Sequence, residues 1–133
     1  MFILDTNVIS AVRRSDRAPK VATWLAKQLE TDLYVSAITI GEIERGIVLQ
    51  QSKNPEFTLD LRAWLDRTIT VFGDRILPLT AQDAQIWGSL SAQIGHSGAD
   101  LMIAAQALAR DASVVTGNGR DFAPTGVRVV DPF

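Results

Sequence analysis

Four acids in this sequence stand where residue type and position could do chemistry. Asp5 directly follows the apolar run "FIL", Glu42 lies in "SAITIGEIERG", Asp100 opens "GADLMIAAQALA", and Asp121 sits in "TGNGRDF". Carboxylates gathered in one crevice repel one another and raise each other's pKa unless a cation neutralises them. Oxygen ligands without His or Cys favour a hard ion, Mg²⁺ or Mn²⁺, which keeps water in its shell and meets substrate phosphates. The matching chemistry is metal-assisted hydrolysis of a phosphoester. Each acid also has a local explanation. Asp5 could be an Asx-turn residue, Thr39 with Glu42 a capping box, Asp100 a favourable charge at a helix N-terminus, and Asp121 ordinary loop polarity.

The elements that must carry these acids show in the hydrophobic pattern. Short apolar runs at Phe2–Leu4, Leu33–Val35, Ile76–Leu79, Val114–Val115 and Val127–Val130 are of strand length, and the stretches between them have helical spacing. Pro19 opens one helix with Val21, Leu25 and Leu29 on its apolar face; Ile40, Ile43 and Ile47 mark a second, and Phe57 to Phe72 a third. Thr80 and Asp83 have capping-box spacing before a helix that buries Ala84, Trp87, Leu90 and Ile94 and stops at Gly95; Ser97 and Asp100 repeat the spacing. Alternating strands and helices favour a parallel sheet covered on both faces, with its binding crevice at the carboxyl ends of the strands. Asp5 follows one such end and Thr116, Gly117 and Asn118 follow another.

Composition removes competing chemistries. The 133 residues suit one domain, 1–133, with 47% apolar and 21% charged residues and no run of membrane-spanning length. No signal peptide is legible at the start. Without cysteine there are no disulfides, thiolate sites or cysteine nucleophiles, which fits a reducing cytoplasm. His96 is the only histidine, which excludes two-histidine metal sites; its loop position suits an exposed or capping role. The net charge of −2 means that any nucleic-acid contact must be local. Arg13, Arg14, Arg17 and Lys20 are either a solvated stretch or a phosphate-contacting edge. Glu44 points away from Glu42 toward solvent, Arg45 could pair with Glu42 or face a phosphate, and Trp24, Trp64 and Trp87 read as core or interface.

Taken in order, "ILDTNVIS", "SAITIGEIERGI", "GADLMIAAQAL", "VVTGNGRDF" and the final "VRVVDPF" resemble the PIN-domain ribonucleases of bacterial toxin–antitoxin pairs, the VapC and FitB type. The resemblance covers almost the whole chain. It implies a three-layer α/β/α sandwich around a mainly parallel sheet of about five strands, and a Mg²⁺- or Mn²⁺-dependent endoribonuclease that inhibits translation. It places Asp5, Glu42 and Asp100 as the core acids and metal ligands, with Asn7, Thr116 and Asn118 as supporting polar groups. Many relatives have an aspartate where Asn118 stands; others pair an asparagine there with an aspartate at the place of Asp121. Asn118 adds no charge, so one well-held ion is expected. The resemblance further implies a homodimer, an antitoxin protein lying over the crevice, and operator DNA bound only through that antitoxin, with no membrane partner. Two other readings are a PIN fold that binds RNA or protein without cutting, and an aspartate-nucleophile phosphatase. The latter wants a second acid where Asn7 stands.

Overall fold

The elements follow from local sequence chemistry. In the computed structural model, which describes residues 1–133, five three- or four-residue strands or shorter alternate with helices: β1 Phe2–Leu4, β2 Leu33–Ser36, β3 Ile76–Leu77, β4 Ser113–Val115 and β5 Arg128–Val130. The helices are α1 Thr6–Val12, α2 Pro19–Ala26, α3 Ala37–Gln50, α4 Pro55–Phe72, α5 Ala81–Ile94, α6 Ala99–Arg110 and the single turn α7 Gly119–Phe122. Pro19 and Pro55 open α2 and α4, where a missing N–H costs nothing. Thr80 and Asp83 complete a reciprocal capping box on α5, and Gly95, at φ +98°, ends it in the left-handed conformation.

All strand pairs are parallel, in the order β3-β2-β1-β4-β5. The chain builds outward from β1 to β2 and β3 on one side, then returns to place β4 and β5 on the other. The strand order therefore reverses between β1 and β4, and a crevice opens beyond their carboxyl ends. Alternating side chains send Ile3 and Val114 into one buried cluster with Ile103, Ala107 and Phe122, and Leu4 and Val115 into another with Val8, Ile43 and Leu65. The sheet is thus sandwiched between two apolar layers, as the resemblance implies. No helix is long and apolar enough to cross a membrane.

Several expectations need correction. Strand β3 stops at Leu77 rather than Leu79, because Pro78 has no N–H to extend the ladder and Leu79 turns outward. Helix α2 ends at Ala26, so Leu29 lies beyond it and is 69% exposed. Thr39 is not a cap: Ser36 caps α3 by accepting from the Ile38 N–H, which places Glu42 inside the helix. Ser97 is not a cap either, because α6 starts after Gly98. Along α5 the fully buried residue is Asp83, while Ala84, Trp87, Leu90 and Ile94 are only partly covered. Asp83 accepts from the Arg110 guanidinium at 2.8 and 3.2 Å, and this buried pair ties α5 to the end of α6.

Candidate active site

Asp5 directly follows β1 and is the N-cap of α1, and its side chain is held at every polar edge. Oδ1 accepts from the Thr6 N–H at 2.8 Å; Oδ2 accepts from the Thr116 hydroxyl at 2.8 Å and from Asn7 Nδ2 at 3.2 Å. Asn7 Nδ2 also lies 3.3 Å from Thr116 Oγ1, and its carbonyl oxygen accepts from the Gly117 N–H at 3.2 Å. The Asn118 N–H closes the set by donating to Thr116 Oγ1 at 2.9 Å. These bonds stitch the end of β1 to the end of β4 across more than a hundred residues of chain. An Asx-type turn and a constructed site coexist here: the carboxylate caps its helix and still faces the crevice.

That crevice holds about 600 Å³ and is lined by Asp5, Glu42, Asp100 and Asp121, together with Asn7 and Asn118. All four predicted acids come together, each from a different element. Glu42 comes from α3 and is held by the Thr6 hydroxyl, which donates to its Oε1 at 2.7 Å. Asp100 stands in the first turn of α6, whose positive end favours a carboxylate. Asp121 belongs to α7, beneath which Phe122 is buried in the core. Thr116 is fully buried, whereas Asn118 is exposed at the rim.

Electrostatics bear on the same point. Burial pushes the Asp5 carboxyl above its ordinary range; the bonds from Thr116 and Thr6 pull it back, and the charges of Asp100 and Asp121 push it up again, leaving it raised. A group of this kind gains from a nearby cation. The donor set is entirely oxygen, which fits Mg²⁺ or Mn²⁺. As the side chains lie, no three of these acids stand close enough together to hold a metal ion between them. An ion bound here would keep much of its water and take one or two carboxylates along with substrate phosphate.

The PIN domain model matches residues 2–127. The chain belongs to the PIN-domain family. It is 36% identical to Ribonuclease VapC14 of Mycobacterium tuberculosis over 72% of this chain and 90% of that relative. It is 32% identical to Toxin FitB of Neisseria gonorrhoeae, over 100% of this chain and 99% of FitB. It also superimposes on a chain in a solved structure of FitAB bound to an IR36 DNA fragment, with a TM-score of 0.84 and 32% identity, covering 99% of this chain and 95% of that one.

Within this PIN domain, two residues that position the acids escape a reading of sequence. Thr6 stands inside the "DTN" string, yet its bond to Glu42 needs α1 and α3 to meet. Gly98 is the other: a Cβ built there would lie 2.7 Å from Asp100 Oδ1, so the missing side chain leaves room for the carboxylate. The "GAD" string was the available signal. His96 is exposed in its loop, and its Nδ1 accepts from the Gly98 N–H at 3.2 Å without capping α6. Arg45 is exposed, and Glu44, on the solvated side as expected, pairs there with Arg62 of α4. Arg13 lies over the Phe57 ring, 5.3 Å from its centroid.

Proposed function

We propose that this PIN domain is the ribonuclease toxin of a toxin–antitoxin pair and hydrolyses RNA phosphodiester bonds with Mg²⁺ or Mn²⁺. The observation that supports this most is the convergence of Asp5, Glu42, Asp100 and Asp121 on one crevice at the reversal of strand order. The relatives named as a VapC ribonuclease and as Toxin FitB support the same reading.

In this mechanism Asp5, Asp100 and Glu42 are the residues that would hold the cation, directly or through water. When bound, the cation supplies an activated water and offsets the charge that builds on the phosphoryl group. The chain's own work is positional. Thr116, Asn7 and the Thr6 amide fix the direction of both Asp5 oxygens, so the carboxylate meets its target without reorganising. Thr6 holds Glu42 toward the same crevice. Asp121 takes the place of a fourth acid, in position to accept a proton or orient water, while Asn118 lends an uncharged amide at the rim.

A protein antitoxin covering the crevice, a homodimer, and contact with operator DNA through the antitoxin belong to the same proposal. The DNA-bound FitAB structure supports the antitoxin part. The reading is tested by incubating the purified, antitoxin-free chain with total cellular RNA in Mg²⁺ or Mn²⁺, with EDTA, and as Asp5→Asn. Cutting that requires both the cation and Asp5 is expected. A folded chain that binds Mn²⁺ but leaves all RNA intact would instead support a binding module.

A further inference from the structure

The acid crevice does not end at its own rim. Asn118 and Asp121 also line a second hollow of about 510 Å³ with Gly117, Arg120 and Asp131, and Asp131 lines a third of about 460 Å³ with Lys20, Lys27 and Phe133. Each hollow shares lining residues with the next, Asn118 and Asp121 between the first two and Asp131 between the second and third, a series that leads from the acids past the 117–121 loop to α2. Its character changes along the way. The crevice is walled by four acids and no cation, whereas the far end presents two lysines against Asp131, whose Oδ1 is engaged by the Phe133 N–H at 2.9 Å.

Sequence spacing produces that far wall. Lys20, Thr23, Trp24 and Lys27 fall at i, i+3, i+4 and i+7, one stripe of α2 and its C-cap, while Val21 faces the core. None of Lys20, Lys27 and Arg120 forms an ion pair; the four ion pairs of the chain use Arg62, Arg75, Arg110 and Arg128. Trp24 is braced edge-on by Phe2, with centroids 5.2 Å apart. The Phe133 ring rests on Gly117, where a Cβ would lie 2.8 Å from its Cδ2, and it is 47% exposed. Free cations beside an anchored, accessible aromatic ring, here that of Phe133, are the chemistry of a single-stranded nucleic-acid path.

We propose that this series of hollows carries single-stranded RNA away from the cutting site, with Lys20 and Lys27 facing its phosphates and Phe133 a base. The inference rests on the ribonuclease reading and adds where the flanking nucleotides lie. It is tested on the full-length Asp5→Asn chain in Mg²⁺, by fluorescence anisotropy with a labelled, mixed-sequence single-stranded RNA of about 12 nucleotides. Lys20→Ala with Lys27→Ala should weaken binding and lower the slope of log affinity against log salt by about 1.4, at roughly 0.7 per phosphate contact on single strands. Phe133→Leu should weaken binding roughly tenfold, and Phe133→Tyr should restore it. Unchanged affinity and slope in a chain whose Asp5-intact form cuts RNA would overturn the path and leave the ribonuclease reading standing. Lysine-dependent binding with no cutting by the Asp5-intact chain would do the reverse. Absence of any RNA binding would overturn both.

Discussion

Thr6 on α1 donates its hydroxyl proton to Glu42 on α3, with 2.7 Å between Oγ1 and Oε1. One side chain of the "DTN" string therefore aims an acid 36 residues away, while its backbone N–H holds Asp5 at 2.8 Å. Removing the hydroxyl should free Glu42 without disturbing Asp5. Thr6→Val is expected to lower the cleavage rate about tenfold, in line with loss of a hydrogen bond to a charged group, and Thr6→Ser to retain most of it. Steady-state cleavage of a defined RNA by the two variants decides this, and equal rates would remove Thr6 from the site.

Gly98→Ala separates placement of Asp100 from folding. The backbone at Gly98, φ −63° and ψ 163°, accepts any residue, but the new methyl would meet Asp100 Oδ1 at 2.7 Å. The carboxylate is the movable end of a side chain, so it should swing away at little cost. A change in unfolding free energy below about 1 kcal/mol is expected, with cleavage clearly reduced and more divalent cation needed for half-maximal rate. Thermal unfolding and a metal titration of activity check the two halves.

Asp5→Asn should abolish cleavage without weakening the fold. With its pKa raised in the folded state, Asp5 adds stability that is fully present below the ordinary carboxylate range and is lost as pH rises through the raised value. At neutral pH the ionised group is therefore a burden on the cation-free chain. In EDTA at pH 7 the variant should melt at or above the wild-type temperature, with that advantage fading as pH falls toward 4. Added Mn²⁺ should raise the melting temperature of the wild type and leave Asp5→Asn little changed.

The Asp83–Arg110 pair predicts the opposite pH response. Burial alone would raise the Asp83 carboxyl, but bonds from Arg110 and Thr80 outweigh it and hold the pKa below the ordinary range. The stability it contributes is present above the ordinary carboxylate range and is lost as pH falls through the depressed value. Asp83→Ala strands a largely covered guanidinium and should cost about 3 kcal/mol near neutral pH. Its stability curve should also be flatter than the wild type's in the acid range, as measured by denaturant unfolding from pH 3 to 7.

Much of this molecule was legible from residue order, because strand-length apolar runs and helical spacing are local properties. Five runs gave five strands, Pro19 and Pro55 opened their helices, and Thr80 with Asp83 formed the box that their spacing promised. The four acids were legible as candidates, since polar groups directly after buried strands or at helix starts call for an explanation. Local signals also misled. Thr39 and Glu42 had capping-box spacing, but Ser36 reached a free N–H first, and Ser97 was passed over because α6 starts one residue later, after Gly98, with no side-chain cap.

What the sequence by itself determined, then, is the set of elements, their alternation and the identity of the acids at their ends, because backbone hydrogen bonding and periodic burial act over a few residues. Only the tertiary structure decided that β4 lies against β1, which brings the Thr116 hydroxyl to Asp5 and Asp100 and Asp121 within reach of its charge. The same packing gave Thr6 its acid, made room for Asp100 above Gly98, and laid Phe133 on Gly117 beside the lysines of α2. These are contacts between residues far apart in the chain, set by which strand pairs with which and by how helices fill the two faces of the sheet. No local spacing encodes them, because their energy exists only once the distant partners are packed together.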